Sequence, residues 1–177
     1  MKKKLSVLFL MVSFLVLIPA LSVSANTPLY GTMDLQFNLG WPGPPQTVIP
    51  DWVGTITIDG EEYGMAFFAI GTGKPFGEQN EGSPHFFVEV WRIYDGIKIK
   101  FNDDGVLTKF KPGSILLWGY DTGLTNLANS KYHMTGTVEE AFGPFSMYVG
   151  RNVYMSGEII WYPFGAPQFA PGIFRID

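Results

Sequence analysis

The sequence predicts an all-β protein, an antiparallel up-and-down β-barrel of about eight strands preceded by a signal-peptide helix. Apolar and polar residues alternate with a period of two in many short segments, as in strands with one buried face. Glycine and proline, at 21 and 13 residues, separate these segments and indicate frequent turns. No segment after the N-terminal apolar run shows the 3.6-residue period of an amphipathic helix. A β-sandwich is the alternative arrangement of the same strands.

The N-terminal segment has the composition of a signal peptide. Three lysines at residues 2–4 precede an apolar run at residues 5–21, and small residues follow where signal peptidase cleaves. We therefore expect residues 1–25 to direct export and residues 26–177 to form a single β-barrel domain, secreted or otherwise extracytoplasmic. Retention as a membrane anchor is the alternative, because a run of this length is marginal for spanning a bilayer.

Charge and cysteine content exclude several classes of function. The chain has a net charge of −4, and removal of the three N-terminal lysines leaves 9 basic and 16 acidic residues, a net charge of −7. Such an acidic product does not attract phosphate backbones, so we expect no nucleic acid partner. The absence of cysteine excludes disulfides, thiol catalysis and cysteine-based zinc sites. The domain must therefore be held by its own core, for which a length of about 150 residues is enough. An aromatic content of 16% indicates a large apolar core or cavity.

The strands are predicted from alternation and from turn residues. Residues 31–38 alternate between apolar and polar side chains, and residues 52–58 and 61–70 flank Asp59-Gly60, a strong hairpin signal. Residues 121–130 are polar and small, which favours a short helical turn. The remaining predicted strands are 85–94, 97–101, 106–110, 114–120, 131–140, 152–161 and 172–176.

A series of glycines marks the last third of the chain. Gly136, Gly143, Gly150 and Gly157 are spaced seven residues apart. Gly136 and Gly157 fall inside predicted strands, where glycine indicates a bend or a close approach of another backbone. Gly143 and Gly150 fall at or near a predicted turn.

Residues 134–159 resemble the late hairpin of the allene oxide cyclase and dirigent barrels. The shared pattern is a strand, a Gly-x-Phe turn at Gly143 and Phe145, a further glycine at Gly150, and a returning strand with Gly157. The resemblance implies an eight-stranded antiparallel barrel with a ligand cavity, similar to calycins in architecture. No catalytic residue of those families matches a position in this chain, so their activity is not carried over.

The sequence offers few candidates for chemistry. His85 and His133 stand apart without the spacing of a metal site, so we expect no metal and no cofactor. Glu89 and Glu158 each lie in an apolar strand. If one faces a barrel interior, burial raises its pKa and suits it to acid–base catalysis. The alternative is an ordinary carboxylate that faces solvent.

Aromatic side chains are the candidates for ligand binding. Those predicted to line a cavity for a small apolar ligand are Phe87, Trp91, Trp118, Tyr154 and Trp161. Plain core packing is the alternative role of these residues. Trp41 lies in a loop rich in proline and glycine, and we expect it to be exposed and available to a partner.

These observations predict an exported, non-enzymatic barrel that binds a small apolar ligand. Two other functions remain open. One is an allene-oxide-cyclase-like isomerase or cyclase with Glu89 or Glu158 as acid or base, and the other is a surface interaction protein whose barrel is filled by its own side chains. A membrane contact is expected only through residues 5–21, if the signal peptide is not removed.

Overall fold

The computed structural model describes residues 27–73, 85–126, 130–161 and 167–177. The predicted signal peptide, residues 1–25, lies outside the described residues. Within the described ranges, no helix has the length and apolar character needed to cross a bilayer. Most of the described chain is β-strand, as the sequence predicts.

Twelve strands and one 3₁₀ helix make up the described chain. In chain order the strands are β1 (Leu29–Phe37), β2 (Trp52–Ile58), β3 (Glu61–Gly73), β4 (His85–Tyr94), β5 (Ile97–Phe101), β6 (Leu107–Pro112), β7 (Ile115–Asn126), β8 (Lys131–Ala141), β9 (Asn152–Glu158), β10 (Ile160–Trp161), β11 (Pro167–Phe169) and β12 (Gly172–Ile176). The 3₁₀ helix, Gly143–Tyr148, lies between β8 and β9. Neither this helix nor β11 was predicted from the sequence.

Eight of these strands close into an antiparallel barrel. They pair in the order β1, β2, β3, β4, β7, β8, β9 and β12, and β12 pairs with β1 to complete the ring. Each barrel strand therefore neighbours the next one in the chain, which confirms the predicted up-and-down barrel. The short hairpin of β10 and β11 extends from β1, where Gln36 pairs with Phe169.

The β2–β3 hairpin has the turn that its sequence predicts. Asp59 and Gly60 both have positive φ angles, 51° and 85°. Two such residues form a type I′ turn, whose twist matches that of the flanking strands. The turn fixes the register in which Ile58 pairs with Glu61 and Trp52 with Phe67.

Residues 121–126 correct one prediction, since they continue strand β7 instead of forming a helical turn. Asp121, Gly123 and Thr125 are buried, whereas Thr122 and Leu124 are exposed. This is the period-two pattern of a strand. Pairing with β4 on one side and β8 on the other overrides the weak strand propensity of Asp and Gly.

The hairpin of β5 and β6 packs on the outside of the barrel. Its apolar residues cover a second cluster formed by outward-facing residues of β2, β3 and β4. The Phe110 ring lies edge-on to Phe68 and Tyr94, with centroid distances of 6.1 and 6.3 Å. The outer face of this part of the barrel is therefore a packed surface, with Phe68 fully buried.

One end of the barrel interior is filled by large side chains. Trp91 is fully buried against Phe174, with ring centroids 5.6 Å apart. Gly119 on the neighbouring strand makes room for this indole, because a Cβ there would lie 2.7 Å from Trp91 Cζ2. The 3₁₀ helix covers this end and buries Phe145 against Tyr63, at 5.8 Å. We call this part the closed half.

Candidate functional site

The opposite end of the barrel, which we call the open half, contains a cavity of about 380 Å³. In an up-and-down barrel the ends of β1 and β3 meet the starts of β2 and β4, so distant segments surround one space. Aromatic rings form much of its wall, namely those of Phe37, Trp41, Trp52, Phe67, Phe87, Tyr132 and Trp161. The cavity is therefore mainly apolar, as small-molecule sites usually are.

Small residues leave this space unfilled. Thr125 and Ala170 line the cavity at positions where larger side chains would occupy it. Gly157 makes room for Tyr132, because a Cβ there would lie 2.6 Å from the phenol oxygen. A Cβ at Gly172 would also collide with that oxygen. The phenol thus occupies the place that two side chains would otherwise take.

The loop between β1 and β2 forms part of the cavity wall. Its anchor is Asn38, whose amide nitrogen donates to the Pro50 carbonyl at 3.1 Å and whose amide oxygen accepts from Leu107 N at 3.0 Å. Trp41 lies in this loop, half-buried, with its ring 6.3 Å from that of Phe37. The predicted exposure of Trp41 is therefore wrong, because the anchored loop folds the indole against the barrel mouth.

Three carboxyl groups are buried in the barrel beside the cavity. Glu89 faces inward from β4, and Asp51 stands immediately before β2; both line the cavity. Asp121 faces inward from β7, directly opposite Glu89. Each residue is at most 4% exposed. No Lys, Arg or His is among the described residues that line the cavity.

Burial changes the acidity of these groups. It raises the pKa of Glu89 well above the ordinary value, with further contributions from the charges of Asp51 and Asp121. Burial also raises the pKa of Asp51, to about 6, although hydrogen bonds from Glu89 and nearby backbone amides oppose the rise. A hydrogen bond between two carboxyl groups requires that one be protonated. The hydrogen bond between them favours a proton on Glu89 and the ionised form of Asp51.

Asp121 differs from the other two acids in its hydrogen bonding. Neither of its carboxyl oxygens has a hydrogen-bond partner among the described residues. Burial, followed by the charge of Asp51, raises its pKa well above the ordinary value. Gly136 on β8 lies beside it, and a Cβ there would approach Asp121 Cβ within 2.9 Å. Close backbone approach thus explains this strand-interior glycine.

Tyr132 adds a phenol to the cavity wall. Burial raises its pKa, and the charge of Glu89 raises it further. The hydroxyl therefore stays neutral and donates a weak hydrogen bond to the Pro171 carbonyl at 3.4 Å. Together with Asp51, Glu89, Thr72 and Thr125 it forms the polar part of a mainly apolar wall.

The structure brings together some of the residues predicted for the site. Phe87, Glu89 and Trp161 line the cavity, and the Trp161 indole is held by a 2.9 Å hydrogen bond to Ser130 Oγ. Trp91 faces the same interior but belongs to the packed closed half.

The other predicted residues lie on the outer face of the barrel. Trp118 packs against the outer cluster and donates to Glu140 at 3.0 Å. Tyr154 and Glu158 are exposed, as is His133. The described residues contain no group of three or more acidic, His or Cys side chains arranged to hold a metal ion.

Sequence reasoning missed Asp51, Asp121 and Tyr132. Asp121 would have been found if residues 121–126 had been assigned to a strand, since it then shares a face with Gly119 and Gly123. Asp51 had no such signal, because it stands at a strand start after a loop rich in proline.

The assembled site is a preformed, mainly apolar cavity with a hydrogen-bonded pair of carboxyl groups and a phenol in its wall. Such a site can hold an apolar molecule and orient one polar group, or exchange a proton with it. No protein-family model, no curated protein and no solved structure matches this chain.

Proposed function

We propose that this protein is exported and binds one small apolar molecule in the open half of its barrel. The observation that carries the proposal is the cavity of about 380 Å³ at that end. Ligand sites are typically preformed apolar spaces of roughly 300–1,000 Å³ with a few polar groups. Trp91 and Phe174 fill the closed half, so the ligand enters at the other end.

The lining chemistry supports an apolar ligand. Trp52 packs edge-on to Phe37 with ring centroids 5.0 Å apart, and Trp161 is fixed by its bond to Ser130. Rings held in this way offer a large contact area without losing side-chain freedom when the ligand binds. The rings of an apolar wall also gain dispersion contacts with an apolar molecule that binds among them.

Dye binding to two matched tryptophan variants tests the cavity. We expect N-phenyl-1-naphthylamine, an uncharged apolar dye, to fluoresce on binding to the processed protein. Trp52→Ala should weaken its affinity several-fold, because Trp52 lines the cavity. Trp118→Ala should leave it unchanged, because Trp118 packs outside the barrel. A folded protein that takes up no dye, or equal effects of the two substitutions, would contradict the proposal.

Export rests on the composition of residues 1–25. N-terminal sequencing of the protein from the extracytoplasmic fraction of its host should find Asn26 first. An intact N-terminus in the membrane fraction would select the anchored alternative, and a full-length chain in the cytosol would rule out export.

An isomerase or cyclase acting in the same cavity is the second candidate. Glu89 favours it, since this buried carboxyl group lines the cavity and burial raises its pKa, which suits it to acid–base catalysis. Native mass spectrometry of protein purified from its host identifies any retained molecule, and NMR then follows whether that molecule is converted.

In an enzyme, Glu89→Gln should abolish conversion while binding persists. The exposed Glu158→Gln should have no effect on conversion. An unchanged molecule after prolonged incubation assigns the protein as a binder. The third alternative is a surface interaction protein whose barrel is filled by its own side chains. Only the closed half is filled in this way.

A further inference from the structure

We infer that the ligand of the open half carries one positively charged amine, held by the carboxyl groups of Asp51 and Glu89, on an apolar body. The inference rests on the proposed function and adds the chemistry of the ligand. Both carboxyl groups stand in the cavity wall, and aromatic rings form most of the remaining wall. One space thus offers an anionic contact and an apolar contact to the same molecule.

The charge balance of the barrel interior favours a cation. Three acids lie within it, and no basic residue is among the described residues that line the cavity. Arg92 and Arg175 are placed on the outer face, where their guanidinium groups lie 4.5 Å from the Phe68 ring centroid and 5.7 Å from that of Tyr30. Burying carboxyl groups without a cation is costly, and an ammonium group supplies the missing charge.

Unpartnered carboxyl oxygens are a separate observation. Oδ1 of Asp51, a residue of the cavity wall, and both oxygens of Asp121, which is 1% exposed, lack hydrogen-bond partners among the described residues. Buried polar atoms in native proteins are nearly always hydrogen-bonded, to protein, water or ligand. Because Asp121 faces inward directly opposite Glu89, its charge adds to the negative potential at the same place.

The aromatic rings of the cavity wall also favour a cationic ligand. Trp, Tyr and Phe rings attract cations through their π faces, most strongly when water is excluded. Trp41, Trp52 and Trp161 all line the cavity. A carboxylate ligand would be repelled by the acids, whereas a neutral ligand would leave the acids without a counter-charge.

Binding of an amine should release a proton from the site. Burial favours the protonated forms of Asp51 and Glu89, and an ammonium group nearby favours the ionised forms. The titratable groups facing Glu89 are Asp51, Asp121 from β7 and Tyr132 from β8. The β3 residue paired with Glu89 is Ala69, which cannot titrate.

The test compares three probes of similar size with opposite or no charge. Isothermal titration calorimetry at neutral pH would use 2-phenylethylamine, 2-phenylethanol and 3-phenylpropanoate with the processed protein. We expect the amine to bind about tenfold more tightly than the alcohol and the acid not to bind measurably. Repeating the amine titration in buffers of different ionisation enthalpy should show release of about one proton per bound amine.

Substitutions test whether the interior acids cause the preference for the amine and the release of a proton. Glu89→Gln should remove both the preference for the amine over the alcohol and the release of a proton when the amine binds. Asp121→Asn should reduce the preference for the amine over the alcohol. It replaces Glu89→Gln in the test if circular dichroism shows that Glu89→Gln does not fold. Glu158→Gln, at an exposed position of β9, is the matched control and should behave as the unchanged protein.

The outcomes separate the inference from the proposed function. If the dye binds but the amine binds no more tightly than the alcohol, the inference fails and apolar binding stands. If neither the dye nor any probe binds to folded protein, both fail. If Glu158→Gln lowers the amine preference as much as Glu89→Gln does, the amine pairs with the outer surface and the inference is overturned.

Discussion

The closed and open halves of this barrel are built from the same strands, but side chains fill the interior of the closed half and leave a cavity in the open half. Along β4, Phe87 and Glu89 border the cavity, whereas Trp91 and Ile93 are completely buried in the packed core. In the closed half a large ring meets a glycine, as Trp91 meets Gly119. In the open half rings also meet glycines, as Tyr132 meets Gly157, but the small side chains of Thr125 and Ala170 leave part of the interior unfilled. Strand alternation therefore decides which residues face inward, and side-chain volume decides whether the interior is filled.

Truncation in the closed half should have the largest effect on stability. Trp91→Ala removes a fully buried indole that packs on Phe174, and should lower the free energy of unfolding by about 3–5 kcal/mol. Urea denaturation followed by circular dichroism measures this loss. Trp118→Ala should lower the free energy of unfolding by less than Trp91→Ala does, because the Trp118 indole lies on the outer face and is only half-buried. A loss below about 1 kcal/mol at Trp91 would show that the closed half is not tightly packed.

The acids of the open half should make stability depend on pH. The pKa of Asp51 rises from 3.8 to about 6 on folding, and burial raises those of Glu89 and Asp121 as well. Above pH 3.8 the unfolded chain therefore releases protons that the folded chain keeps, so stability falls as pH rises. For Asp51 alone the loss is about 3 kcal/mol, complete above its folded pKa.

Urea denaturation between pH ~4 and ~7 measures this dependence. Glu89→Gln should flatten the profile and raise stability at neutral pH, because burial favours the protonated form of Glu89, whereas an amide is neutral without taking up a proton. Glu158→Gln, which changes an exposed carboxylate, should leave the profile as it was. Rising stability with pH in the unchanged protein would show that the interior acids have cationic partners.

Much of the barrel could be predicted from local sequence. The alternation in β1 and the Asp59-Gly60 turn each specify structure over a few residues, and both formed as expected. The facing direction of Trp118 could not be inferred in this way. In β7 the large residues Trp118 and Tyr120 point outward and Gly119 inward, because Trp91 from the neighbouring strand already fills the interior above that glycine.

The cavity was harder to predict because its polar groups come from distant parts of the chain. Glu89 was a candidate on local grounds, as an acid in an apolar strand. Asp51 meets it only because β2, β3 and β4 are adjacent in the closed ring. Such juxtaposition depends on register and closure, which no single segment encodes.

Truncation at the cavity should cost less than truncation in the closed half. Phe87 lies four residues from Trp91 on the same strand face but is only half-buried. Phe87→Ala enlarges a space that already exists, so we expect a loss of about 1–2 kcal/mol. The same variant should bind the apolar dye more weakly. Equal stability losses for Phe87→Ala and Trp91→Ala would remove the distinction between the two halves.

The smallest effect on stability is expected from a substitution on the β5–β6 hairpin, which lies outside both halves. Lys98 pairs with Lys111 and Lys100 with Lys109, so like charges stand directly opposite on its exposed face. Lys109→Glu should replace one repulsion by an attraction and raise stability by roughly 0.2–1 kcal/mol.

Salt distinguishes this surface effect from that of the buried acids. The gain from Lys109→Glu should fade in concentrated salt, because exposed charges are screened by mobile ions. The gain from Glu89→Gln should persist, because buried groups are screened by salt much less than exposed ones and Glu89 is buried. If salt instead abolished the effect of Glu89→Gln, solvent ions would have access to the acids, and the open half would have to be described as a wet cleft in place of an apolar cavity.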